Sequence, residues 1–146
     1  MSRLLFISLF ILLGFVNSTA HAQLTLKPLS GSEIRSFMFG RLMSGEYPDG
    51  NQWAERFNRN GTSDYSENGK PIRGQMTLNG NILCFTYASN QSSGGCFEVW
   101  KRGPNCFDFY ATRSGANLDQ RNFGQGWDAR GWYANQPSTC VSEQIS

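Results

Sequence analysis

Histidine is nearly missing from this chain. The single copy, His21, stands in an N-terminal stretch built like a secretory leader, with a basic start at Arg3, an apolar run from Leu4 to Val16 and the small-x-small triplet Ala20-His21-Ala22. Cleavage is expected after Ala22, which leaves residues 23–146 as one exported domain without histidine. Such a chain cannot run a Ser-His-Asp or Cys-His mechanism and cannot build a His-ligated zinc site. Long hydrophobic runs are missing too. The leader's own run is too short to span a bilayer, so no transmembrane segment is expected once it is removed. No cysteine lies near Ala22, which argues against a lipid anchor. Charge is sparse: the 13 Lys and Arg less Arg3 leave 12 basic groups against 11 acidic ones, and the only adjacent basic pair is Lys101-Arg102. A nucleic-acid binder would carry a basic patch, and none is present. Cys-x-x-Cys pairs are absent, which speaks against a metal site, and no glycine-rich loop follows a strand and opens a helix, which speaks against a phosphate cradle. No low-complexity linker divides the chain.

What the chain does have is aromatic side chains, turns and four cysteines. Trp53, Trp100, Trp127 and Trp132, with five tyrosines and the eight of eleven phenylalanines that follow Ala22, can fill a core despite the modest aliphatic content. Asp49-Gly50, Asn60-Gly61, Asn68-Gly69 and Asn79-Gly80 punctuate the stretch from Tyr47 to Tyr87. Each supplies the positive backbone angles of a tight, type I′ hairpin turn, so the stretch reads as an antiparallel meander. Strands are expected near 41–47, 52–57, 62–66, 72–78, 82–87, 95–100 and 106–111, with one more near 127–134 in an otherwise irregular, glycine-interrupted lid. Residues 23–28 read as an extended lead-in. Ser30-Gly31-Ser32-Glu33 matches a capping box with a Leu29/Ile34 staple, and Ile34, Phe37 and Met38 share one face. This predicts a short helix over 31–39, closed at Gly40 and covering one end of the sheet.

Alternation assigns faces to the late strands. Leu83, Phe85, Tyr87, Phe97, Val99, Phe107 and Phe109 fall on the core side. Cys84, Cys96, Cys106, Glu98, Trp100, Asp108 and Tyr110 fall on the other. Four cysteines in an exported chain argue for two disulfides, of which Cys84–Cys96 across a hairpin and Cys106–Cys140 across the tail are favoured. The tail would then lie over Trp100 and Tyr110. The fold expected is mainly β: seven or eight antiparallel strands in a small calycin-like or lipocalin-like barrel with one N-terminal helix, a two-sheet sandwich being the alternative. An eight-stranded barrel is filled by side chains or holds one small ligand.

Three groups of residues are candidates for a site. Glu55, between Trp53 and Phe57 on one strand face, would place a carboxylate inside the barrel, where it needs a partner such as Arg41 or Arg73, or a ligand. Trp100, Trp127, Trp132, Tyr110 and Tyr133 would form either an aromatic platform for a sugar or protein, or a satellite core under the tail. Glu98 and Asp108 would oppose each other if the turn centres on Gly103, giving an acid–base pair, or else be solvated or neutralised by Lys101 or an arginine of the tail.

Met38-Phe39-Gly40, Gly45-Glu46-Tyr47-Pro48-Asp49-Gly50, Leu83-Cys84-Phe85, Gly95-Cys96-Phe97-Glu98-Val99-Trp100 and Trp132-Tyr133 through Pro137-Ser138-Thr139-Cys140 carry a further signal. Across residues 30–140 this pattern resembles a family of small exported alphaproteobacterial proteins, a domain of unknown function. The resemblance implies an exported, disulfide-bonded β domain and transfers no catalytic residue. The function expected is a non-enzymatic periplasmic or secreted module without cofactor. It would bind a small apolar or amphipathic ligand through Trp53, Glu55 and Phe57, or through Trp100 and Tyr110. An envelope interaction or inhibitor protein is the alternative, and a carboxylate hydrolase the third.

Overall fold

The computed structural model describes residues 27–67, 69–88, 94–112 and 126–141. The leader and most of the lead-in, together with the glycine-rich stretch 113–125 that includes Phe123, lie outside them. One helix, α1 (Gly31–Met38), precedes eight strands: β1 (Arg41–Glu46), β2 (Gln52–Phe57), β3 (Thr62–Glu67), β4 (Lys70–Asn79), β5 (Ile82–Tyr87), β6 (Gly95–Gly103), β7 (Cys106–Ala111) and β8 (Ala129–Tyr133). Each strand pairs antiparallel with its neighbour in sequence, and β8 returns to β1 through Met43↔Tyr133 and Gly45↔Gly131. That last ladder closes the barrel and excludes the sandwich.

The helix forms as its first residues dictate. Ser30 accepts from the Glu33 amide, and the Glu33 carboxylate accepts from the Ser30 amide at 2.8 Å. Beyond the C-cap residue Phe39, Gly40 takes a φ of 82°, and its amide donates to the carbonyl of Phe57. The Leu29 amide bonds to Val99 O and the Gly31 amide to Asn81 Oδ1, so the helix is tied across the barrel end formed by the short turns. Leu29, Ile34 and Met38 are buried there, and Phe37 meets Phe107. Met43, Phe57, Leu83, Val99 and Phe107 fill the adjoining interior, each worth about 1.5–3 kcal/mol of burial.

Two of the four glycine signals sit elsewhere in their turns than a type I′ loop requires. Gly50 donates to Tyr47 O and Gly61 to Asn58 O, so each glycine is the last corner of a four-residue turn. Its positive φ then leads into the next strand, as in the longer hairpin loops. Gly69 closes a two-residue loop between the paired Glu67 and Lys70, and Gly80 opens one between Asn79 and Ile82.

Both disulfides form as favoured. Cys84–Cys96 joins directly opposed residues of β5 and β6, and Cys106–Cys140 fastens the C-terminal segment to β7. Asn105 reinforces that fastening. Its amide group donates to the carbonyls of Tyr133, Gln136 and Pro137, its own N–H donates to Thr139 Oγ1, and its Oδ1 accepts from the Tyr133 amide. Among the described residues, no helix is long and apolar enough to cross a membrane.

Candidate functional site

The end opposite the helix carries the strand termini Glu46, Gln52, Glu67, Lys70, Tyr87, Gly95, Ala111 and Ala129, and here the barrel interior is hollow. A partly enclosed cavity of about 80 Å³ lies among inward-pointing side chains. Strand β2 supplies Trp53, Glu55 and Phe57, with Tyr47 and Tyr65 beside them. The other wall is Phe85, Tyr87, Gly94, Phe97, Phe109 and Ala129. The period-two rule places them together: 53, 55 and 57 face inward, and the pairs Glu55↔Tyr65 and Trp53↔Glu67 carry that face onto β3.

Two rings are seated by glycines. A Cβ at Gly45 would collide with the Trp53 indole, and one at Gly131 would come within 2.9 Å of its Cη2. Gly74 does the same for Tyr87, whose Cδ1 would lie 2.5 Å from an added Cβ. The chain leaves out side chains here so that two large aromatics can lie flat against the barrel wall. Ring spacings of 5.1 Å for Tyr65–Tyr87, 6.0 Å for Trp53–Phe109 and 6.0 Å for Phe85–Phe97 make a continuous aromatic lining.

Glu55 is the charged centre of the cup. Its side chain is only 4 % exposed, and Tyr87 donates its hydroxyl proton to Oε1 at 2.8 Å. Burial pushes the carboxyl up to about 7. The Ser63 and Tyr87 hydroxyls draw it down and the charge of Asp64 adds to the rise. Among the described residues only Tyr87 makes a hydrogen bond of good geometry, for Ser63 Oγ is buried without one, as is Trp53 Nε1. Among them no arginine partners Glu55. Arg73 points outward to Asp64 at 3.3 Å because it occupies the outward-facing parity of β4, and Arg41, on the parity of Met43 but at the helix end of β1 opposite Phe57, lies over the Tyr133 ring. The expected arginine pairing is therefore replaced by a phenol. Nearer the rim a second relay runs from Tyr47 OH to Tyr65 OH to Glu67 Oε2, each step 2.9 Å. Burial raises the phenols of Tyr47, Tyr65 and Tyr87, which stay protonated donors.

The remaining candidates fall elsewhere. Trp100 and Tyr110 are on the outer face, in edge-to-face contact at 6.3 Å, and are buried there. Trp127 stacks on Arg130 at 4.8 Å, Trp132 is on the outer face of β8, and Tyr133 turns inward against Phe107. These five rings form no single platform. Glu98 and Asp108 do not oppose each other either. The observed pairs are Trp100↔Asp108 and Glu98↔Tyr110, because a bulge between Lys101 and Gly103 and the Pro104-Asn105 turn move the register by two. Asp108, 1 % exposed, is clasped by Arg130 at 2.6 and 3.1 Å and by Arg102 at 3.1 Å. Arg130 also donates to Val141 O. This network ties the C-terminal segment to the sheet and is structural.

Sequence reasoning found Trp53, Glu55 and Phe57 and missed Tyr47, Tyr65 and Glu67. The parity of β3 would have pointed to the last two once its register against β2 was known. Among the described residues no three His, Cys, Asp or Glu side chains gather as a metal site would require. No family model, no curated protein and no solved structure matches the chain.

Proposed function

We propose that this protein is a non-enzymatic, exported small-ligand binding module whose site is the cup at the open end of the barrel. One observation carries the reading: a hollow of about 80 Å³, lined by aromatic rings, with a buried carboxylate and a set of phenol hydroxyls converging on it. Binding sites combine an apolar wall with a few convergent polar groups, as here. The volume is about that of two or three waters, so the ligand, or the part of it that enters, is small. Two disulfides and the leader-like N-terminus support export to an oxidising compartment. An envelope interaction role draws less support. The large apolar side chains exposed among the described residues are Leu42 and Val141, and the Trp100–Tyr110 pair is covered. We assign no catalytic role to Asp108, which two arginines already neutralise.

Native mass spectrometry of the full chain, exported to a bacterial periplasm and purified gently, tests the reading. The expected result is a mass above the doubly oxidised mature chain, reverting to it on mild heating. A bare chain, with no thermal shift from any small amphiphile in a screening set, would overturn it.

A further inference from the structure

We propose that the cup selects a small organic cation, an alkyl- or methylammonium group, with Glu55 as counter-ion and the surrounding rings as its cage. This rests on the small-ligand reading above and names its chemical class.

The case begins with charge. Among the described residues no lysine or arginine lines the cavity, and the polar groups facing it are the Glu55 carboxylate, the phenols of Tyr47, Tyr65 and Tyr87, and the Trp53 indole. A buried carboxylate without a cation is costly, and one phenol is a weak partner for it. Glu55 Oε2 accepts no hydrogen bond among the described residues, so half of the carboxylate is left for a visitor. An anion would meet Glu55 directly and Glu67 at the rim. A neutral guest would leave the carboxylate either charged and unpaired or protonated.

The rings give the second argument. An ammonium bearing methyl groups is attracted to aromatic faces and sheds water more readily than a metal ion does. Trp53, Tyr65, Tyr87, Phe97 and Phe109 surround the hollow, and its volume suits a trimethylammonium head rather than a bulkier amphiphile. A bare metal ion is disfavoured because Glu55 has no neighbouring ligand set among the described residues.

The mouth supplies the third. Among the described residues, Glu46, Asp49 and Glu67 stand at this end, against Lys70 and an Arg130 already bound to Asp108. Charge of one sign at a low-dielectric mouth concentrates the opposite ion.

The test uses the oxidised full chain with three probes of one shape: choline, its uncharged isostere 3,3-dimethyl-1-butanol, and the anion 3,3-dimethylbutanoate. Binding is followed by calorimetry and by the ring-current shift of the probe's methyl protons. Choline should bind at pH 8 about tenfold more tightly than the alcohol, and the anion least. Among the described residues, the groups facing Glu55 are Tyr47 just after β1, Ser63 and Tyr65 from β3 and Tyr87 from β5, and the charge of Asp64 acts from the outer face of β3. The phenols stay protonated, and Asp64, whose carboxyl Asn58 and Arg73 hold down, stays ionised. Choline affinity should therefore fall by about tenfold between pH 8 and pH 5.5 as Glu55 gains its proton. Glu55→Gln should erase the preference for choline while keeping the alcohol's affinity. Should that variant not fold, the wild-type pH series decides, and an affinity unchanged across it overturns the assignment. If the alcohol binds as tightly as choline, the cation inference falls and the small-ligand reading stands. If none of the three enters the cup, the cation inference falls, and the small-ligand reading falls with it when the amphiphile screen is also blank.

Discussion

At the helix end of the barrel the inward stripes finish in Met43, Phe57, Leu83 and Phe107, covered by Leu29, Ile34 and Met38. At the other end the same stripes finish in Tyr47, Tyr65, Tyr87 and Glu67. The backbone alternation is identical at both ends, so geometry alone does not distinguish them. Residue identity does. Aliphatic groups at the first end are sealed by the tied-down helix and stay dry. Phenols and carboxylates at the second keep polar atoms pointing into the lumen, and the packing stops short of filling it. Burial at the dry end provides the stability that lets the open end hold a carboxylate out of water.

The strongest way to break this contrast is to hollow out the dry end. Ile34→Ala should cost about 3 kcal/mol, read as a lowered urea midpoint, while ring-current shifts at the open end persist. A loss of both together would mean that the two ends are not separable. Next in size is the reverse experiment. Glu55 has a folded pKa of about 7 against an ordinary 4.5, so the folded state holds the extra proton between these values. Its contribution to stability is therefore greatest at acid pH, declines as pH rises from about 4.5 to about 7, and is flat above. Glu55→Gln should stabilise the protein at pH 8 by up to about 3 kcal/mol, the gap closing near pH 4 in paired thermal melts. A gap independent of pH would show that the carboxylate is not the open end's liability. Removing the helix cap with Ser30→Ala should cost about 1 kcal/mol and loosen the plug without altering probe shifts at the cup. Smallest of all, Arg73→Ala on the outer wall should leave the melting curve unchanged, since its ion pair with Asp64 is solvent-exposed.

Much of the frame is legible in the residues. The capping box, the apolar face of α1, the eight strands and the parity that put Glu55 inside all follow from contacts within a few positions along the chain. The cysteine faces were enough to favour both disulfides. The site is less legible. Tyr87 lies 32 positions from the Glu55 it serves, and nothing near either residue announces the pairing. Glu98 and Asp108 show the opposite error. A plausible local register puts them face to face, and one bulge at Lys101–Gly103 with a longer turn separates them. Asp108 finds Arg130, 22 positions away, instead.

By itself, then, the sequence determined what short-range physics governs: which segments extend, where they turn, which side chains share a face and where a helix starts and stops. The tertiary structure alone decided that β8 meets β1, that glycines at 45, 74 and 131 make room for Trp53 and Tyr87, and that a phenol rather than a guanidinium holds Glu55. Those outcomes depend on register and closure, which sum small energies over every strand pair. A shift that keeps each side chain on its proper face leaves the local pattern unchanged and still changes every long-range partner.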